Sequence, residues 1–173
     1  MINTKDIFSI KSTDGFENAA LQVFKYQFEN NPVYRSFCDL LYKHPSDIKR
    51  IEEIPFLPIQ FFKSHKVIST SKPIQQIFTS SGTTGSVTSK HCVSDLSIYE
   101  SSFKSAFRQF YGNIKDYTVI ALLPSYLERE GSSLVYMVDH LISASEKSES
   151  GFYLNHLSKL KDTLESLDHQ GEK

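Results

Sequence analysis

The chain has 173 residues, 39% of them hydrophobic, and a formal net charge of −1, enough to bury one core and too balanced in charge to give nucleic acid a basic footprint. Cys38 and Cys92 lie far apart with no metal-type spacing to any His, which excludes a disulfide framework or a zinc site, assigns no residue to a metal, and suits a reducing cytoplasm. No apolar run approaches the ~18 residues of a membrane span, and the start "MINTKDIFSI" lacks the basic and apolar regions of a signal peptide, so a cytoplasmic location is expected.

The first third reads as helical. Phe16, Ala19, Ala20, Val23, Phe24 and Phe28 recur at helical spacing behind the capping candidates Thr13 and Asp14, and "NNP" at 30–32 supplies a stop. A second helix opens at Pro32, whose missing N–H costs nothing in a first turn, and carries Tyr34, Phe37, Cys38 and Leu41 on one side up to His44-Pro45. The pair forms a helical hairpin. In "IPFLPIQFFKSHKVI", Pro55 and Pro58 break any helix amid dense apolar residues, as in a buried connector.

From about residue 66 the texture turns to α/β. Strand-like runs stand at 66–69, 74–79, 87–93 and 117–123, the last apolar enough to be covered on both faces. Between the last two, Ile98, Phe103, Ala106, Phe107 and Phe110 mark a helix after a Ser94/Asp95 cap, ended by Gly112. Another helix starts near Ser132. "GFYLN" reads as a short last strand, before a helix capped by Asn155 with Leu157, Leu160, Leu164 and Leu167 on one face. The alternation predicts an α/β fold: an N-terminal helical hairpin, then a partial, mixed sheet with flanking helices. The expected organisation is a helical region over 1–65 and an α/β core over 66–173, within one compact unit.

The densest chemistry lies in "FTSSGTTGSVTSKH", residues 78–91. Ser, Thr and Gly in succession let a backbone curl so that several N–H groups point inward beside side-chain hydroxyls, which suits phosphate oxygens. Gly82 and Gly85 omit a Cβ where the backbone must approach a ligand. The alternative is a mobile hydroxyl-rich turn. GxxxxGK[ST] and GxGxxG are both absent, so neither a P-loop NTPase nor a dinucleotide fold has its fingerprint.

"SSGTTG" at 80–85 resembles the first phosphate-loop signature of the adenylate-forming enzymes. Within them, "NPVYRSFCDLL" at 31–41, "FLPIQFFKSHKV" at 56–67 and "YTVIALLPSYLEREGSSLVYMV" at 117–138 are similar to the LuxE-like acyl-protein synthetases of bacterial luminescence, and less closely to phenylacetate-CoA ligases. The resemblance implies a fold that is part of a larger adenylate-forming enzyme, with Ser80, Ser81, Gly82, Thr83, Thr84 and Gly85 holding ATP phosphates with Mg2+. It implies a carboxylic, fatty acid substrate converted to an acyl-adenylate, and a thiol acceptor on a protein or on coenzyme A. It also implies that Ser125, Tyr126, Ser132 and Ser133 border the acyl or nucleotide pocket, although Ser132 equally suits a helix cap.

The sequence departs from that family in two respects. The superfamily follows its second Gly with Pro and Lys, whereas here Ser86, Val87, Thr88 and Ser89 precede Lys90; Lys90 reads first as a solvated strand lysine and second as a phosphate contact. The ribose-binding acid, the lid lysine and the acceptor cysteine of the family have no counterpart in these residues, so the chain is expected to be the N-terminal portion of a longer enzyme, inactive alone. The alternatives are an acyl-CoA synthetase of the phenylacetate type and a non-catalytic binding module. His65, His91 and His140 are isolated and carry no assigned role. Glu128, Arg129 and Glu130 read first as a solvated loop, and Cys38 and Cys92 as small core hydrophobes.

Overall fold

A computed structural model describes residues 4–80, 87–124 and 131–171. The fold is mixed α/β, as the alternation of helical and strand patterns requires. Two compact units divide it, Met1–Ile98 and Tyr99–Lys173.

The first unit opens with α1 (Thr4–Ile7), α2 (Thr13–Asn30) and α3 (Pro32–Leu40). The cap of α2 is Ser12, one residue before the expected pair: its hydroxyl accepts from the Gly15 N–H at 3.1 Å. Asp14 falls in the first turn, where a negative charge favours the helix dipole. Asn31 ends one helix and begins the next. Its N–H donates to the Gln27 carbonyl, and its Oδ1 accepts from the Tyr34 N–H at 3.1 Å, while Pro32 fills the first position of α3. Phe24, Phe28, Tyr34, Cys38 and Ile48 form the buried cluster of this unit, with Leu21, Phe37, Ile54 and Leu57 packed against it. The helical pattern of 14–44 therefore holds, except that α3 stops at Leu40 and leaves Leu41 half exposed.

The connector is only partly buried, against expectation: Phe56 and Ile59 are exposed, and specific contacts hold its other residues. The Tyr34 hydroxyl donates to the Pro55 carbonyl at 2.6 Å, and a short helix, α4 (Phe61–Ser64), sets Phe61 against Phe37. The strand expected at 66–69 is absent. At its end side chains bond to Ser69 instead: its carbonyl accepts from the Tyr26 hydroxyl, and its hydroxyl accepts from the Asn31 amide. The sheet of this unit is an antiparallel pair, β1 (Gln76–Thr79) and β2 (Lys90–Val93), in the register Gln76↔Val93 to Thr79↔Lys90. The Asp95 carboxylate then accepts from the Ser97 N–H at the head of α5 (Leu96–Tyr111), within which the chain passes to the second unit.

Only Phe103 of the expected apolar stripe on α5 is fully buried; Ala106 and Phe110 face solvent. Gly112, at φ +88°, ends the helix as its sequence predicts. The run at 117–123 gives only a two-residue strand, β3 (Ile120–Ala121). Tyr117 closes a preceding 3-10 turn, the Val119 N–H goes to the Ser150 hydroxyl rather than to a ladder, and Leu122 is exposed, so the run is not covered on both faces. Helix α6 (Ser133–Ser145) crosses from β3 to its parallel partner β4 (Gly151–Phe152). The last helix, α7 (Leu157–Gln170), begins with His156 rather than Asn155 at the cap position. Leu167 of its leucine stripe is buried, whereas Leu157 and Leu164 are exposed. Among the described residues, no helix is long and apolar enough to cross a membrane.

Candidate functional site

The hydroxyl-rich segment joins β1 to β2, so two hydrogen-bonded strands fix both of its ends. Beyond the last ladder pair, the Ser80 N–H donates to the Ser89 carbonyl and the Ser89 N–H donates to the Ser80 hydroxyl, each at 3.1 Å. One predicted hydroxyl, Ser80, therefore closes the neck of the hairpin. Ser81, Gly82, Thr83, Thr84 and Gly85 lie outside the described residues.

The strands give the neck one cation and a packed flank. Lys90 stands opposite Thr79 at the mouth, exposed. The next residue, His91, stacks on Phe62 of α4 with centroids 5.9 Å apart and planes 17° apart. A neighbouring stack places His65 on Phe61 at 5.2 Å, where the Ser64 hydroxyl meets the ring nitrogen at 2.8 Å. Both histidines are thus held by aromatic faces. In the buried cluster of the first unit, burial pushes the Cys38 thiol up and, with the neighbouring thiol adding to it, the Tyr34 hydroxyl well above its ordinary value. Such groups stay neutral. Cys38 is fully buried as expected, while Cys92 is half-buried in β2.

In the second unit, two of the predicted serines, Ser132 and Ser133, stand at the start of a helix. Ser132 is the cap of α6 and accepts from the Val135 N–H at 3.4 Å, and the Ser133 carbonyl accepts the Tyr99 hydroxyl at 2.9 Å. Ser125 and Tyr126, with the Glu128–Arg129–Glu130 loop, lie outside the described residues.

Sequence reasoning missed a polar cluster between α5 and α6. The Glu100 carboxylate accepts from the Tyr136 hydroxyl at 2.9 Å and from the Lys104 ammonium at 3.1 Å, and His140 Nε2 stands 3.6 Å away. His140 Nδ1 lies 3.1 Å from the Tyr136 carbonyl, which can only accept, so Nδ1 carries a proton. The bonds from Lys104 and Tyr136 hold the Glu100 carboxyl below the usual carboxylate range. Each half was visible as an i,i+4 pair, Glu100/Lys104 and Tyr136/His140, but nothing in the sequence says that the two pairs face each other. Among the described residues, no group of three or more His, Cys, Asp or Glu is placed to hold a metal ion.

A family model described as acyl-protein synthetase, LuxE, matches residues 9–114. The chain belongs to this family. The match takes in the helical hairpin, the connector, the whole β1–β2 hairpin with its hydroxyl-rich segment, and all of α5. Ser132 and Ser133 fall beyond it. No curated protein and no solved structure matches the chain. Inside the matched span the hairpin joins two paired strands with a hydroxyl at the neck and a cation beside it, and the sequence between them is rich in hydroxyls and glycines. This donor set suits an anion. It offers a metal ion no carboxylate.

Proposed function

We propose that this protein takes part in the ATP-dependent activation of a carboxylic acid, most simply a fatty acid, for transfer to a thiol. A carboxylate oxygen attacks the α-phosphorus of ATP, the bond to the β-phosphate breaks, and pyrophosphate leaves. A thiolate on an acceptor protein then attacks the acyl carbonyl and expels AMP. The observation that carries this reading is the β1–β2 hairpin, whose connecting segment reads "SSGTTG" within the span matched by the LuxE model.

The protein's own part in the first step is positional and electrostatic. Backbone N–H groups and hydroxyls of Ser81 to Gly85 would donate to the β- and γ-phosphates, whose charge grows as pyrophosphate departs. Donors fixed in advance favour that charged state over the ground state. The hydrogen-bonded neck at Ser80 and Ser89 limits the motion of the segment's ends, and Lys90 adds positive charge at the same mouth. Mg2+, if it accompanies the nucleotide, would neutralise phosphate charge; the donor set here fits the phosphates rather than the ion.

The test is adenylation kinetics on the natural full-length protein. A hydrogen bond to a charged group contributes about 1.5–3 kcal/mol, so Thr83→Ala or Thr84→Ala should slow acyl-adenylate formation by roughly ten- to a hundredfold. Gly85→Val should be worse, because a β-branched Cβ obstructs both turn and phosphate. Near-normal rates for all three variants, with thermal stability unchanged, would overturn the phosphate-binding reading.

A further inference from the structure

The C-terminal half of α5, the turn after it and the end of α6 enclose an open groove of about 400 Å3 that has no role in the phosphate-loop reading. Its apolar lining is Phe107, Ile114, Leu141 and Ala144, all partly buried. Two exposed cations, Lys104 and Arg108, complete the wall on the α5 side, one helical turn apart. Lys104 is engaged by Glu100 at 3.1 Å. Among the described residues, Arg108 enters no ion pair, and no acidic residue lines the groove.

This combination is selective. The volume lies within the range of small-ligand pockets. An apolar body gains by leaving water for the four side chains, an anionic head gains an ion pair with Arg108 that a neutral head lacks, and a cation is repelled. An unpaired guanidinium at the edge of an apolar surface suits a carboxylate or phosphate, to which it can offer two parallel N–H groups. We infer that this groove is a binding site for a small amphiphilic anion, with an aliphatic body on Phe107, Ile114, Leu141 and Ala144 and a single carboxylate or phosphate head on Arg108. The site is separate from the hairpin and does not depend on the activity proposed for it.

Binding can be read by NMR on the full chain, from the methyl groups of Ile114, Leu141 and Ala144, with octanoate, octyl phosphate, 1-octanol and octylammonium as probes below micelle-forming concentrations. Octanoate or octyl phosphate should shift these methyls saturably, and the tighter of the two identifies the head group. Octanol should bind at least about tenfold more weakly and octylammonium more weakly still. Arg108→Ala, an exposed change that leaves the fold intact, should weaken the anion by about tenfold or more. Ala144→Leu should fill the groove and weaken all the probes that bind, with retained thermal stability showing that the helix is undisturbed. Octanol equal to both anions, an Arg108→Ala variant with unchanged affinity, or saturable shifts only elsewhere would overturn the inference. Because no probe requires adenylation, a negative result leaves the phosphate-loop reading standing, and a failed adenylation test leaves this one standing.

Discussion

Glu100 shows how a single residue acquires its properties from its neighbours. Its carboxyl is held below the usual range because Lys104 and Tyr136 donate to the charged form. A group with a depressed folded pKa adds stability that is fully present above its unfolded value, about pH 4.3, and is lost as pH falls through the lower folded value. Acid unfolding should therefore separate the native chain from Glu100→Gln: the stability difference between them should shrink as pH drops below about 4, and a difference constant from pH 7 to pH 2.5 would contradict this. The two cysteines make a second residue-level comparison. Cys38 has no exposed surface and a thiol pushed up by burial, whereas Cys92 is only half-buried. The thiolate is the reactive form, so a thiol reagent at neutral pH should modify Cys92 at least about tenfold faster than Cys38 in the native chain. The rates should converge in denaturant, and equal native rates would contradict the packing around Cys38.

At the scale of elements, helix ends decide where the pattern of apolar residues becomes structure. The periodicity of α2 is clear from its sequence, but Ser12, Thr13 and Asp14 are all good cap residues, and periodicity cannot choose among them. The chain uses Ser12. Ser12→Ala should cost about 1 kcal/mol and Thr13→Ala less than about 0.5 kcal/mol in chemical denaturation, the order that distinguishes the two placements. Asn31 should matter more. It is buried, it caps α3, and its amide reaches Ser69, so Asn31→Ala removes a cap and leaves buried groups unsatisfied, at a cost of about 2–3 kcal/mol. A loss below about 0.5 kcal/mol would show that the α2–α3 junction does not depend on it. The strands were harder to place than the helices for a related reason. A run such as 66–69 has strand composition, but a strand exists only where a partner supplies its hydrogen bonds. Here the Ser69 carbonyl is taken by the Tyr26 hydroxyl instead.

At the scale of the whole molecule, each unit rests on a different kind of interior. The first has an aromatic cluster in which Phe24 meets Phe28 and Tyr34 edge to face, at centroid distances of 6.4 and 6.1 Å. The second mixes the buried rings of Phe103 and Tyr153 with the smaller Val135 and Ala121 and a polar network, in which the Ser145 hydroxyl bonds to that of Ser150, which in turn accepts from the Val119 N–H. Phe24→Ala should cost about 3–5 kcal/mol. Native-state hydrogen exchange should find the amides of α2 near Phe24 and Phe28 among the slowest. The two-residue pairing of β3 with β4 should exchange faster, since short two-stranded pairs have little of their own to hold them. The reverse order would mean that the hydroxyl network, not the aromatic cluster, anchors the chain.

The amino-acid sequence by itself determined what local chemistry can determine. Helical spacing in 16–28 and 96–111, proline at the start of α3 and glycine after α5 specify helices and their stops through contacts within a few residues. The hydroxyl-glycine motif between two β-type runs pointed to an anion-binding turn in a LuxE-like chain, and the family match includes that motif. Only the tertiary structure decided which strand-like runs found partners, which side of α5 stayed in water, and that Glu100, Lys104, Tyr136 and His140 meet. It alone put Arg108 beside an apolar groove made from three separate segments. Those outcomes depend on pairings between residues tens of positions apart, settled by competition for a limited number of hydrogen bonds and apolar surfaces, and no local pattern records who wins.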